Sequence, residues 1–135
     1  MNRLAYVFCI FVVLSISSCS TLPTKEITLK TRLEKIKIIG FGCILYANKS
    51  EMFLPDNLIA MKSELQGDFN FREDINLNDY ELLAKGSFFK FSNPASTIMV
   101  SEKQADKDGK YAVCFIDGHV EIIKRKKSEP NGGAN

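Results

Sequence analysis

The sequence predicts an α+β fold: an N-terminal helix packed on a small antiparallel sheet that ends in a β-hairpin. Two patterns carry this expectation. Leu29, Leu33, Ile36, Gly40, Cys43 and Ala47 recur at helical spacing and share one face. Near the other end, two apolar-rich runs at 111–116 and 119–123 flank Asp117-Gly118, a strong hairpin signal. No internal repeat is visible, which excludes solenoids and propellers. A length of 135 residues leaves room for one core. A hydrophobic fraction of 45% is ordinary for a globular chain and argues against one that is disordered throughout. The formal net charge of +2 is too small to make nucleic acid the default partner, and none is expected.

The apolar residues are unevenly spread. After Met1-Asn2-Arg3, every residue in 4–14 is apolar or aromatic. Small residues then lead to Cys19. A basic start, a short apolar run and a small-residue end form a secretory signal. Eleven residues of helix rise only about 16 Å, against a hydrocarbon core of about 30 Å, so a permanent span is the weaker reading. Ile16-Ser17-Ser18-Cys19 resembles a bacterial lipobox. The resemblance implies cleavage before Cys19, a diacylglycerol on its thiol and acylation of the new amine. Two or three acyl chains hold a protein stably at a membrane, whereas one is marginal. A plain signal peptide with an incidental cysteine, or an uncleaved anchor, is the alternative. The expected organisation is a signal at 1–18, a tether at 19–24, one α+β domain at 25–124, and a basic, then polar, tail at 125–135. Ser20 is not acidic, which fits outer-membrane rather than inner-membrane retention; the expected place is the periplasmic face of the outer or inner membrane of the bacterial envelope.

The domain reads in order. Thr24 is one candidate helix cap, and Thr31 with Glu34 forms a capping box that would start the helix later. The face opposite the apolar stripe carries Lys30, Arg32, Glu34, Lys35 and Lys37 in the first half. Beyond Lys37 the helix is apolar nearly all round, so it must be covered on more than one side. Gly40, Gly42 and Ala47 permit close approach of other elements. Pro55-Asp56 starts a second helix, with Asp56 as cap, Leu58, Ile59, Met61 and Leu65 as its buried side, and Gly67 at its end. Residues 68–80 read as a long loop. Residues 82–91, with Phe88, Phe89 and Phe91, form a candidate strand, and 97–101 a second. The Asp117-Gly118 turn is expected as a two-residue type I′ turn. That register sets Phe115 opposite Val120 and Val113 opposite Ile122 on the core face, with Cys114 and Glu121 on the other.

Two segments together resemble known proteins. Ile39-Gly40, Leu45-Tyr46-Ala47-Asn48, then Phe53-Leu54-Pro55 and Leu58, look like the helix-to-loop junction of pilin-like secretion proteins. Residues 113–121, with Asp117-Gly118-His119-Val120-Glu121, resemble the ending of the prepilin-type H-X9-DG family, and Asn93-Pro94 before the preceding strand also fits. The resemblance covers about residues 33–124 and implies a pseudopilin-like head. The family's leader and its Phe-Thr-Leu-Ile-Glu helix start have no counterpart here, and its histidine falls at Lys107.

His119 is the sole histidine, which excludes a multi-histidine metal site. Asp117 and Glu121 beside it allow an acid–base reading, but a hairpin turn accounts for Asp117, Gly118 and His119 more simply. Nucleophile-elbow and phosphate-loop motifs are absent from the sequence. Asp106 and Asp108, in Asp106-Lys107-Asp108-Gly109, are the candidate calcium ligands; a solvated turn is the alternative. No other cofactor is expected. Cys43 and Cys114 remain after processing, and an envelope location permits a disulfide between them; buried free thiols are the other reading. Residues 51–81 hold eight acids against two bases, while Lys124 to Lys127 are all basic.

The expected function is that of a lipid-anchored envelope protein with a pilin-like head, acting in structure or protein interaction rather than catalysis. The alternative is an accessory, pseudopilin-like component of a type II secretion or pilus-like system. The expected partners are the membrane, through lipid on Cys19, and envelope or secretion proteins.

Overall fold

The structure, a computed structural model, describes residues 24–124, with side chains from residue 28 onward. The expected signal, Cys19, most of the expected tether and the expected 125–135 tail lie outside the described residues. An N-terminal helix packs on a four-stranded antiparallel sheet, so the α+β class holds.

Helix α1 (Thr24–Lys49) is continuous and begins at the earlier of the two candidate starts. Its apolar stripe is buried in the second half. Ile36, Ile39 and Cys43 are fully buried and Ala47 nearly so, whereas Leu29 is 38% exposed. No helix among the described residues is long and apolar enough to cross a membrane.

Two glycines explain how the second half of α1 is covered from two sides. They stand two positions apart, about 200° around the helix. A Cβ on Gly40 would lie 2.2 Å from Cys114 Sγ of the sheet. A Cβ on Gly42 would lie 2.7 Å from the Phe71 ring and 3.4 Å from Met61 Cε. The helix is therefore clamped between the sheet and a cover made by the second helix and the loop after it.

That second helix, α2 (Leu58–Glu64), is capped by Asn57 rather than Asp56. Asn57 is extended (φ −155°, ψ 162°) and its side chain accepts a hydrogen bond of 2.8 Å from the Ala60 N–H, so the helix cannot start earlier. Leu58, Met61 and Leu65 face the core, but Ile59, about 100° round from Leu58, is 55% exposed.

The sheet is a meander, β1 (Tyr80–Leu82), β2 (Ile98–Glu102), β3 (Tyr111–Phe115) and β4 (Val120–Ile123), in that spatial order. The strand expected over 82–91 is mostly absent. β1 ends at Leu82, and Phe88–Lys90 form a 3-10 turn whose first free amide, that of Phe89, donates to the Ser87 hydroxyl. The local cap competes with a ladder and wins. In β2 the register shifts between Ile98 and Val100, so Met99 and Val100 are both fully buried although adjacent.

The final hairpin differs by one residue from the expected register. Cys114 pairs with Val120 and Ala112 with Ile122. A type I′ turn would need Asp117 in the left-handed region. Only Glu51 and Met52 among described non-glycine residues adopt it. Gly118 takes the positive φ alone, at 89°, and its N–H donates to Phe115 O at 2.9 Å. The loop is therefore three residues long, a type I turn followed by a glycine bulge. A one-residue slip exchanges the two faces. Ala112 and Cys114 join the core cluster, with Val120 and Ile122 packed against it; Val113 and Phe115 point the other way.

The clamp makes a direct prediction. In Gly40→Ala, overpacking costs about 1–3 kcal/mol, against a helix-propensity gain of about 1 kcal/mol. Urea unfolding should therefore show net destabilisation. Gly42→Ala should lose less, because the Phe71 ring edge can swing aside. A Gly40→Ala protein as stable as the parent would refute the clamp.

Candidate functional site

The densest polar constellation sits where the first half of α1 meets the 103–110 loop. Arg32 is at its centre. Its Nε and one terminal nitrogen hold the Glu102 carboxylate from two sides, at 3.0 and 2.6 Å. Its other terminal nitrogen donates to Asp106 Oδ2 at 2.6 Å, and a further bond of 3.1 Å reaches the Lys110 carbonyl. Glu102 also accepts from the Ala112 N–H, which ties the cluster to β3. In sequence Arg32 falls on the charged face opposite the apolar stripe, a position open to solvent on an isolated helix. Instead its side chain is only 17% exposed, because the loop folds over it. Chain pattern alone carries no sign of a partner seventy residues away.

Hydrogen bonding to Glu102 pushes the Arg32 guanidinium further above its ordinary value, and burial opposes this only in part. The Asp106 carboxyl is held at about 2, first by the Lys110 N–H and then by Arg32. Both Asp106 oxygens are thus engaged. Oδ1 accepts from the Asp108 and Lys110 N–H groups, and Oδ2 from Arg32. Of the two candidate calcium ligands, Asp106 is engaged by a side-chain cation, and it shares a turn with Asp108. Among the described residues, no group of three or more His, Cys, Asp or Glu is placed to hold a metal. The Arg32 fork, spent on two carboxylates and a carbonyl, is closed to an anionic ligand.

The structure does bring Asp117, Gly118 and His119 together. Asp117 Oδ1 accepts from the His119 N–H and from its ring Nδ1. The His119 contact holds the Asp117 carboxyl below its ordinary range. The imidazole lies flat on Phe115, with centroids 4.1 Å apart and planes 6° from parallel, and Nε2 is 3.7 Å from a Glu121 oxygen. Nδ1 and one ring face are thus engaged within the hairpin, while the side chain stays 38% exposed.

Cys43 and Cys114 meet at one α1–β3 interface, both as free, buried thiols. The expectation that Cys114 lies on the mixed face is overturned by the hairpin register, which turns it toward α1. Burial pushes each thiol up to about 12, so both are neutral at physiological pH.

Two surface features escaped the sequence reading. Glu51 (φ 51°) and Met52 (φ 65°) are consecutive left-handed residues where α1 ends. Such conformations cost about 1–2 kcal/mol each. They are pinned by Met52 N–H to Ala47 O, 2.8 Å, and Phe88 N–H to Met52 O, 2.7 Å. The pinned segments leave Phe53 52% and Phe89 80% exposed. Apolar grooves also flank α1. One, of about 370 Å³, lies between Ile38, Phe41 and Phe69; the other, of about 310 Å³, between Leu29, Leu33 and Val120. Glu34 and Lys37 line both.

No family model matches the chain, and neither a characterised protein nor a solved structure is detectably similar to it.

The Arg32 cluster sets an expected pH dependence. Asp106 has a folded value near 2, below the unfolded value of about 3.9. Its contribution is complete above about pH 4 and is lost as pH falls toward its folded value. Arg32→Gln, which leaves Glu102 unmatched, should cost about 1–3 kcal/mol at neutral pH. The gap between parent and variant should narrow in acid. Denaturant midpoints across the acid range test this; a gap that widens on acidification would contradict it.

Proposed function

We propose that this is a lipid-anchored protein of the bacterial envelope whose folded head works by binding other proteins rather than by catalysis. The observation that carries the reading is Ile16-Ser17-Ser18-Cys19, preceded by an apolar run and followed within five residues by the start of α1. A lipid on Cys19 would hold the head close to the bilayer, since five extended residues reach at most about 17 Å. Support for a binding role comes from two exposed rings, Phe53 beside the strained Glu51-Met52 turn and Phe89 on the 3-10 turn pinned to it, since aromatic side chains are enriched at protein interfaces. The engagement of His119 within its own hairpin supports a role without catalysis.

A second reading makes the protein an accessory of a secretion or pilus-like machine, with lipid in place of a pilin's membrane helix. An α-helix across a four-stranded meander that ends in Asp-Gly-His is the observation in its favour.

Palmitate labelling in a bacterial host tests the anchor. Wild type should incorporate label and Cys19→Ala should not; equal labelling of the two would reject the proposal. Crosslinking in the same cells separates the readings. Secretion components among the products favour the second, and a product set without them rejects it.

A further inference from the structure

We infer that the outer edge of β4, with the apolar groove beside it, is an interface for a second copy of this chain, joined edge to edge about a two-fold axis. The inference goes beyond the anchored reading and stands without it. β4 pairs with β3 alone, and no strand among the described residues runs along its other side. The hairpin fixes which groups face outward. Phe115 N–H donates to His119 O across the turn, so the hydrogen-bonded pairs that follow are Val113 with Glu121 and Tyr111 with Ile123. The N–H and C=O groups of Val120 and Ile122 therefore point away from β3, as the template for a further strand. α1 runs beside β4 in the opposite sense. At one end Ile44 Cδ1 is 3.4 Å from a Cβ built on Gly118. At the other, Arg32 bonds the Lys110 carbonyl, next to the Tyr111–Ile123 pair, and Lys124 Cε lies 3.8 Å from a Cβ built on Gly109.

Symmetry restricts the pairing. A two-fold axis normal to the sheet reverses a strand's direction and keeps its faces, so it joins two edges as an antiparallel ladder. With Ile122 opposite its own counterpart, Val120 faces Lys124 of the second copy and the whole strand is engaged. Both copies of α1 then lie antiparallel on one face of a continuous eight-stranded sheet. α1 approaches β3 most closely, so three strand spacings, about 14 Å, separate the two helix axes. That gap suits long side chains rather than backbone contact. Each helix supplies them. Leu29, 38% exposed, and Leu33 line the groove of about 310 Å³ with Val120, and the two grooves would face each other across the axis. Lys30, Glu34 and Lys37 line the same groove and bear both signs. Arg32 stands near the level of Ile123, so an axis through Ile122 passes near Leu33 and sets Glu34 of each copy beside Lys30 of the other. Glu34 lies 3.6 Å from Arg72, near the limit for an ion pair, and its carboxylate can take a second cation. The rim is thus complementary to itself, and such charges select the partner and fix the register.

The test uses the full chain, produced in a bacterial host and purified in detergent, with the protein mass followed by analytical ultracentrifugation over a concentration series. The parent should be a dimer that dissociates on dilution. Ile122→Pro removes an outward N–H and none that β3 uses, so the fold should stay and the dimer be lost. Glu34→Lys makes the rim wholly basic, and Lys30→Glu with Lys37→Glu makes it wholly acidic. Each should associate with itself at least tenfold more weakly than the parent, and the two mixed should form a one-to-one dimer. Ile122→Cys should give an inter-chain disulfide with diamide, because a separation of about 5.5 Å between paired Cα atoms lies within the range a disulfide spans. Phe89→Cys, exposed but away from β4, should not. A parent that is monomeric at every concentration, or a dimer unchanged in both rim variants, would overturn the inference. Circular dichroism identifies a variant that has not folded; if Ile122→Pro is one, the rim variants decide, since all three of their positions are exposed. Palmitate labelling reports the anchor alone, so the two readings fail separately.

Discussion

The close approach of α1 to β3 at Gly40 is the contact on which the rest of the fold depends. With no side chain at that position, Cys114 of the hairpin rests almost on the helix backbone. Once the sheet is that near, Ile36, Ile39 and Cys43 are sealed against Met99, Val100 and Cys114 in one cluster. The opposite side of the helix still carries apolar groups, and Gly42 lets Phe71 and Met61 cover them. Phe69 stacks edge-on against both Phe71 and Phe41 and extends that cover toward the surface. A helix that is apolar nearly all round is thus satisfied by two layers, one on each side.

The first half of α1 is held differently. Among its described residues before Ile36 no side chain is fully buried, and Leu29 stays partly exposed. Its tie to the sheet is the Arg32 cluster, where one guanidinium satisfies two carboxylates and a carbonyl from the β2–β3 connection. A planar fork suits this task in a way that an ammonium group would not. The helix is therefore apolar-locked at one end and ion-locked at the other. The ion-locked end gathers the chain's entry and exit; the apolar-locked end leads into the strained turn that exposes Phe53.

How much of this was legible beforehand varied with the range of the interactions. The long helix, the burial of Ile36, Gly40, Cys43 and Ala47, the second helix and the final hairpin all follow from local periodicity and turn chemistry. The aromatic run at 88–91 misled, because β propensity argues for a strand while a serine hydroxyl locally stabilises a 3-10 turn. The hairpin was recognised but its register was not. Asp-Gly is compatible with two turn types, and the choice depends on whether Asp117 accepts a left-handed conformation. That single choice decides which face Cys114 occupies. The sites divided likewise. Asp117 and His119 pair across two residues and could be foreseen, whereas Arg32 finds Glu102 and Asp106 only through the tertiary fold.

By itself the sequence determined the fold class, the order of most elements and the apolar face of α1, because these depend on contacts within a turn of helix or a pair of strands. It also contains the lipobox-like stretch Ile16-Ser17-Ser18-Cys19 on which the proposed envelope reading rests. Tertiary structure alone decided which side chains meet across the chain: Gly40 with Cys114, Gly42 with Phe71, Arg32 with Glu102 and Asp106. Such pairings are set by helix-to-sheet distance and strand register, and a residue's neighbours in sequence carry no record of either.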